Sequence, residues 1–178
     1  MLASSLACGG ERARNAGGAA ADTAVQSLPA GTVSHGETVP PGEGASATED
    51  ERSDPTLGVP GALAVLDSYF VAINAHQFHD AYHLWSDDGA ASGLTLEEFA
   101  RGYDRTRSTM YRAGRPGRIE GAAGSRYIDI PVTIEAVTTD GVRRHFAGHI
   151  VLRRVVVTGA SSEERLWHIY HSSVREVR

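Results

Sequence analysis

Histidine is the residue type with the widest chemical reach in this chain. His76, His79 and His83 fall within residues 76–83, and His79 and His83, four apart, share a face if that stretch is helical. His76 sits at an expected helix break, and no cysteine or carboxylate at ligand spacing completes a metal site. The cluster reads as a solvent-facing polar edge beside Phe78, Tyr82 and Trp85, with no metal expected. His145 and His149 share a strand face, but at the usual rise they stand roughly 13 Å apart, too far to hold one ion alone.

Acid–base work has other candidates. Asp67 lies beside the apolar positions Leu63 and Phe70, and burial there would raise its carboxyl pKa toward general-base use. Tyr103 faces inward on an expected third helix. Arg154 shares a strand face with Ile150 and Leu152, where it can meet an anionic group of a ligand. Trp85 and Trp167, with Phe99 and Tyr103, mark the place to look for a pocket. Each also has a plainer reading: a rim position for Asp67 and Arg154, ordinary core for the tryptophans. No Asp–His pair at a recognisable spacing makes any of them catalytic, and no cofactor is expected.

These side chains must be placed by elements of two kinds. Leu63, Leu66, Phe70 and Ile73 recur at helical spacing, which predicts a first helix over about 61–74. A short second helix is expected near 79–85. Thr95 and Glu98 form a capping box, with Leu94 and Phe99 as a hydrophobic staple, so a third helix starts there. Its buried stripe is read as Leu96, Phe99, Tyr103 and Met110.

After Arg118 the period changes to two. Ile128, Ile130, Val132, Ile134 and Ala136 alternate with polar neighbours, Asp140-Gly141 signals a hairpin, and a return strand runs over about 143–157. Matching charges and faces sets Ile130 opposite Leu152, Val132 opposite Ile150, Asp129 opposite Arg153 and His149 opposite Thr133. A two-residue turn misses that register by one, so a three-residue loop or a bulge has to absorb the difference. A last strand is expected over about 165–176. Helices followed by antiparallel strands make an α+β domain.

Charge divides the chain in two. Residues 1–57 hold eight acids against three arginines, whereas residues 58–178 hold fourteen of each. A neutral domain without a basic stripe offers no footprint for nucleic acid. All 17 basic residues are arginine, which excludes Schiff-base and P-loop chemistry, since both use a lysine amine. Residues 9–57 contain no aromatic residue and are rich in Gly, Ala, Ser, Thr and Pro. Such a stretch buries too little apolar surface to offset ordering and reads as a flexible linker, with His35 solvated in it.

Leu6-Ala7-Cys8-Gly9-Gly10 resembles the end of a bacterial lipoprotein signal, in which the cysteine is lipidated and becomes the mature N-terminus. Ser5 stands where that family prefers leucine, and the basic segment and most of the apolar segment are missing. The resemblance implies lipidation at Cys8 and a lipid-anchored place in the bacterial envelope, periplasmic and on the outer membrane. The anchor would be the chain's contact with the membrane.

The run Tyr69-Phe70, Ala72-Ile73-Asn74, Phe78, Ala81-Tyr82, Leu84-Trp85, the capped third helix and Trp167-His168-Ile169 resemble the NTF2-like (cystatin-like, SnoaL-like) cone superfamily. The resemblance implies three helices packed on a curved antiparallel sheet of about four strands over residues 58–178. It implies a cone interior where enzymes of the superfamily carry a carboxylate, histidine or tyrosine, and adds His168 and Tyr170 to Asp67, Trp85, Phe99, Tyr103 and Arg154 as pocket candidates. It also implies a homodimer through the outer sheet face. The leading expectation is a tethered, non-catalytic binding or interaction domain with a narrow or filled cone. The alternative is an isomerase- or dehydratase-like enzyme moving a proton on a small hydrophobic substrate, which needs an open pocket of roughly several hundred Å³.

Overall fold

The structure, a computed structural model, describes residues 54–177. Cys8, His35 and nearly all of the expected leader lie outside the described residues.

Helix α1 (Val59–Asn74) carries Pro60 in its first turn, where a missing N–H leaves nothing unsatisfied. It buries Ala62, Leu66, Tyr69, Phe70 and Ile73, so the expected stripe holds with Leu63 at its margin. Its entry is fixed by two contacts. A Cβ on Gly61 would fall 1.8 Å from the Thr56 carbonyl oxygen, and Trp167 Nε1 donates to the carbonyls of Leu57 and Gly58, both at 3.1 Å.

Helix α2 (Phe78–His83) is shorter than expected. Trp85 lies beyond its end, in an isolated parallel bridge to Ile169. A 3₁₀ turn at Ala90–Ser92 leads to helix α3 (Leu96–Gly102), where the capping box is present in both directions. Glu98 N donates to Thr95 Oγ1 at 3.3 Å and Thr95 N to Glu98 Oε2 at 2.9 Å. The bond from the Thr95 backbone holds the Glu98 carboxyl below its usual pKa.

The expected stripe of α3 needs correction. The helix stops at Gly102, and the chain turns at once into strand β1 (Thr106–Ala113). Phe99 and Tyr103 are buried as expected, but Leu96 is at the surface and Met110, on the outward side of β1, is 63% exposed.

Five more strands follow: β2 (Glu120–Ala122), β3 (Ser125–Thr138), β4 (Arg143–Val155), β5 (His168–Ser172) and β6 (Arg175–Val177). They form one antiparallel sheet in the order β1-β3-β4-β5, with β2 also on β3 and β6 also on β4. Four strands make the main path of the sheet, as expected, and the short β2 and β6 bring the total to six. Its inner face is the alternation expected: Ile128, Ile130, Val132, Ile134 and Ala136 from β3 against Phe146, Ile150 and Leu152 from β4, all buried.

The register differs from the one expected. Ile128 pairs with Leu152, Ile130 with Ile150 and Ile134 with Phe146. Asp129 faces Val151, not Arg153, and His149 faces Pro131, not Thr133. The loop decides this. Thr138 N donates to Val142 O at 2.9 Å and Gly141 N to Thr138 O at 2.9 Å, leaving Thr139-Asp140-Gly141 as a three-residue turn. Gly141, at φ +84°, takes the left-handed position such turns require.

Two local features shape the sheet. Pro131 sits where β1 has just ended, at Ala113 paired with Val132, and β2 has not yet begun. Its carbonyl points to that side and accepts from Gly114 N at 2.7 Å, so its nitrogen, which has no hydrogen, lies where no strand ladder asks β3 for a donor. On the other flank Gly148 underlies the break between β5 and β6. A Cβ there would lie 2.6 Å from Ser173 O and 2.7 Å from Val174 Cα. Replacing Gly148 with alanine forces backbone apart and should destabilise the domain by about 1–3 kcal/mol, the usual range for overpacking. Urea unfolding of the variant beside the parent checks this, and an unchanged midpoint would mean that the β5–β6 break adjusts freely.

Candidate functional site

The interior of the cone is built mainly from aromatic side chains. Tyr69 from α1 and Tyr103 after α3 join through their hydroxyls at 2.7 Å. Phe99 meets Tyr69, Tyr82 and Tyr103 with centroids 5.3–6.4 Å apart, and Trp85 meets Tyr69 at 6.4 Å. Trp85, Phe99 and Tyr103 are therefore brought together as expected. They do not enclose an open pocket: the cavity bordered by Tyr69, Trp85, Tyr103, Ile150 and Ser172 holds about 20 Å³, room for one water. Trp85 Nε1, fully buried, has no hydrogen-bond partner among the described residues.

Two expected pocket residues lie elsewhere. Asp67 is exposed on α1 and accepts a hydrogen bond from the Tyr111 hydroxyl of β1. It is one position off the buried stripe, so the helix turns its carboxylate to the rim. Tyr170 is 41% exposed on the outer sheet face, with Tyr127 5.6 Å away and the Arg153 guanidinium 5.6 Å over its ring. Alternation decides this: Ile169 is buried on the inner face, so the next residue turns outward.

The open concavity is at the other end of the sheet. A cleft of about 340 Å³ lies between the residues after α2 and the β4–β5 connection, and His83, Asp88, Arg153, Arg154, Glu164 and His168 contribute to its walls. Arg154 is buried at the end of the inner face, its guanidinium 5.4 Å over the Trp167 ring. Arg153 bonds Ser125 Oγ through Nε at 3.1 Å and stands 3.9 Å from Asp87. His168 places Nδ1 3.1 Å from Leu166 O. His83 has Nδ1 2.5 Å from Asp88 Oδ1 and Nε2 3.2 Å from His79 Nε2.

Local structure presents these groups. Asp87, Asp88 and Gly89 take three successive left-handed conformations, at φ +56°, +55° and +91°. Strain of this kind in two non-glycine residues persists only where surrounding contacts impose it, and it concentrates at binding sites. The opposite wall is stiffened by Ser161 and Glu164, which bond reciprocally as a capping box does, Ser161 N to Glu164 Oε2 at 2.8 Å and Glu164 N to Ser161 Oγ at 3.2 Å. The bond from the Ser161 backbone lowers the Glu164 carboxyl pKa.

Arg154 and His168 thus meet in one place, as two of the expected polar candidates. Asp88, Arg153 and Glu164 were not among the candidates, although two signals pointed to them. Asp87-Asp88-Gly89 is a turn sequence, and Ser161-Ser162-Glu163-Glu164 has the spacing of a capping box. Among the described residues no histidine is hydrogen-bonded to a serine or threonine hydroxyl, so no activated hydroxyl nucleophile is assembled. No group of three or more metal-ligating side chains occurs among them either.

At the rim, burial and the hydrogen bond to Asp67 push the Tyr111 phenol well above the usual range. The unfolded chain releases that proton near pH 10 while the folded chain retains it, so this contribution to stability is present below pH 10 and lost as pH rises above it. Urea midpoints between pH 9 and 11 should therefore fall more in the parent than in Tyr111→Phe. Parallel curves would show that the phenol ionises equally in both states.

No protein-family model matches the sequence, and no curated protein matches it. Among solved structures it is similar to an NTF2-like superfamily protein from Salmonella enterica, at 12% identity over 64% of this chain and 86% of that one, with a TM-score of 0.46. It is also similar to a protein of unknown function from Mycobacterium tuberculosis (16% identity, 76% and 79% covered, TM-score 0.49) and to a conserved protein from Planctomyces limnophilus (17%, 65% and 95%, TM-score 0.47). By its own architecture, three helices followed by an antiparallel sheet, the described chain is an α+β domain.

Proposed function

We propose that this chain is a non-catalytic binding domain that takes a small zwitterionic molecule, of free amino-acid or dipeptide size, in the cleft beside α2. The observation that carries the reading is the contrast in space: about 20 Å³ inside the cone against about 340 Å³ in the cleft. A substrate small enough for the interior would be no larger than water, which removes support from proton-transfer chemistry on a hydrophobic compound. The cleft has the size of a small-molecule site. Its walls mix guanidinium and imidazole groups with carboxylates, a lining that pairs with both ends of a zwitterion and repels neither.

The same reading places the domain on the bacterial envelope, held by a lipid on Cys8 and by the linker after it. Its support is the Leu6-Ala7-Cys8-Gly9 resemblance and a linker composition that leaves a tethered domain free to reach solutes.

Two measurements test these statements. Nuclear magnetic resonance with a panel of free amino acids and dipeptides should give saturable shifts at the His83 and His168 rings. Affinity should weaken about fivefold or more in Arg153→Gln, and the Trp85 indole N–H should stay unmoved. Saturable shifts at Trp85 with none at His83 or His168 would move the site into the cone and return the enzyme reading. For the tether, the intact mass of the mature protein from its native host should start at Cys8 and carry diacylglyceryl; a chain retaining residues 1–7 without lipid would overturn it.

A further inference from the structure

The geometry points to a divalent-metal site of the zinc, copper and nickel class on α2, made by His79 and His83 and oriented by Asp88. The inference does not depend on what the neighbouring cleft binds.

One turn of α2 stacks the two imidazoles, with ring centroids 4.3 Å apart. Their Nε2 atoms approach to 3.2 Å. Two imidazole nitrogens held 2.0–2.1 Å from one ion at a tetrahedral angle lie roughly 3.3 Å apart, so the pair already has the bite of a chelate. The far side of each ring agrees. His83 Nδ1 faces Asp88 Oδ1 at 2.5 Å, and His79 Nδ1 faces Asp80 Oδ1 at 3.5 Å. An ionised carboxylate only accepts, so it favours the proton on Nδ1 and leaves the lone pair on Nε2. Both lone pairs then aim at one point, where they repel each other unless a proton or a cation lies between them. Carboxylate–histidine–metal relays use this arrangement to fix the tautomer and strengthen the ligand.

The surroundings favour a cation of charge two. Asp80, Asp87 and Asp88 stand on the same stretch, and the left-handed backbone at Asp87 and Asp88 sets the second of these against His83. Imidazole donors select zinc, copper and nickel over magnesium and calcium, which take oxygen sets. With two protein nitrogens the ion keeps open positions for water or an exogenous donor. His83 also lines the cleft, so those positions lie at its margin. The other close histidine–carboxylate pair, His149 with Asp129 at 2.7 Å, has no second imidazole and offers no chelate.

The test is calorimetric titration of the full-length protein with Zn²⁺, and with Ni²⁺ as a second probe. The Cys8→Ser variant is included because a thiolate also takes these ions. One equivalent should bind in both parent and C8S, while Mg²⁺ should not bind. His79→Ala and His83→Ala should each weaken Zn²⁺ by at least tenfold, and Asp88→Asn by about tenfold, within the range for outer-sphere partners. His149→Ala should leave the affinity unchanged. His79 and Asp88 are largely exposed, so urea midpoints of the metal-free H79A and D88N variants should match the parent and exclude unfolding as the cause. Absence of stoichiometric binding overturns the site. So does binding lost in C8S, or binding undiminished in H79A and H83A, which would leave a plain His79–His83 hydrogen bond as the whole content of the geometry.

Discussion

The pairing of β3 with β4 is the constraint on which the rest of this domain depends. In the register set by the Thr139-Asp140-Gly141 turn, both strands turn their branched and aromatic residues to one side. Helix α1 then meets the sheet, α2 packs on α1 and α3 on α2. A slip by one residue would carry Ile128, Ile130, Val132 and Ile134 to the outer face and bring Asp129 and Glu135 in their place. The outer face carries ion pairs, with Asp129 bonded to His149 and Glu135 to Arg143. The apolar and ionic faces enforce the same register from opposite sides.

That arrangement explains why the concave space is closed. The sheet offers aliphatic side chains, and the helices answer with Tyr69, Phe70, Trp85, Phe99 and Tyr103, residues large enough to meet across the cone. The two buried hydroxyls satisfy each other, so no polar group is left facing a substrate-sized void. A cleft opens at the end of the sheet past Leu152, where the inner face runs out of apolar residues and Arg154 takes the next position. The cleft begins where the core's alternation stops.

Much of this was legible in the residues. The α1 stripe, the Thr95–Glu98 box and the alternating faces of β3 and β4 each rest on local pattern, and local pattern decided them. Strand β1 was not legible because the inward positions of Thr106–Ala113 are Thr106, Thr109 and Tyr111, which give no apolar alternation. Their burial comes from long-range bonds, such as Asn74 Oδ1 accepting from Thr109 N at 2.6 Å. The register escaped because charge matching favoured Asp129 against Arg153, while the Thr138 hydroxyl, by accepting from Val142 N, fixed the turn instead. Asp67 and Tyr170 missed the cone because each stands one position past an inward residue, Leu66 on the helix and Ile169 on the strand.

Pro131 has a consequence for how this protein behaves in crowded solution. Between the end of β1 and the start of β2 no strand pairs with β3, and that opening is closed only by a loop, through Gly114 N to Pro131 O and Gly117 N to Asp129 O. Fibrils and runaway oligomers grow by adding strands to such edges, each newcomer taking up free amide hydrogens. At the middle of that opening the chain presents a ring with no hydrogen to give. The longest strand, rich in isoleucine and valine, thus lacks a donor at Pro131, on the stretch where its strand partner gives way to a loop.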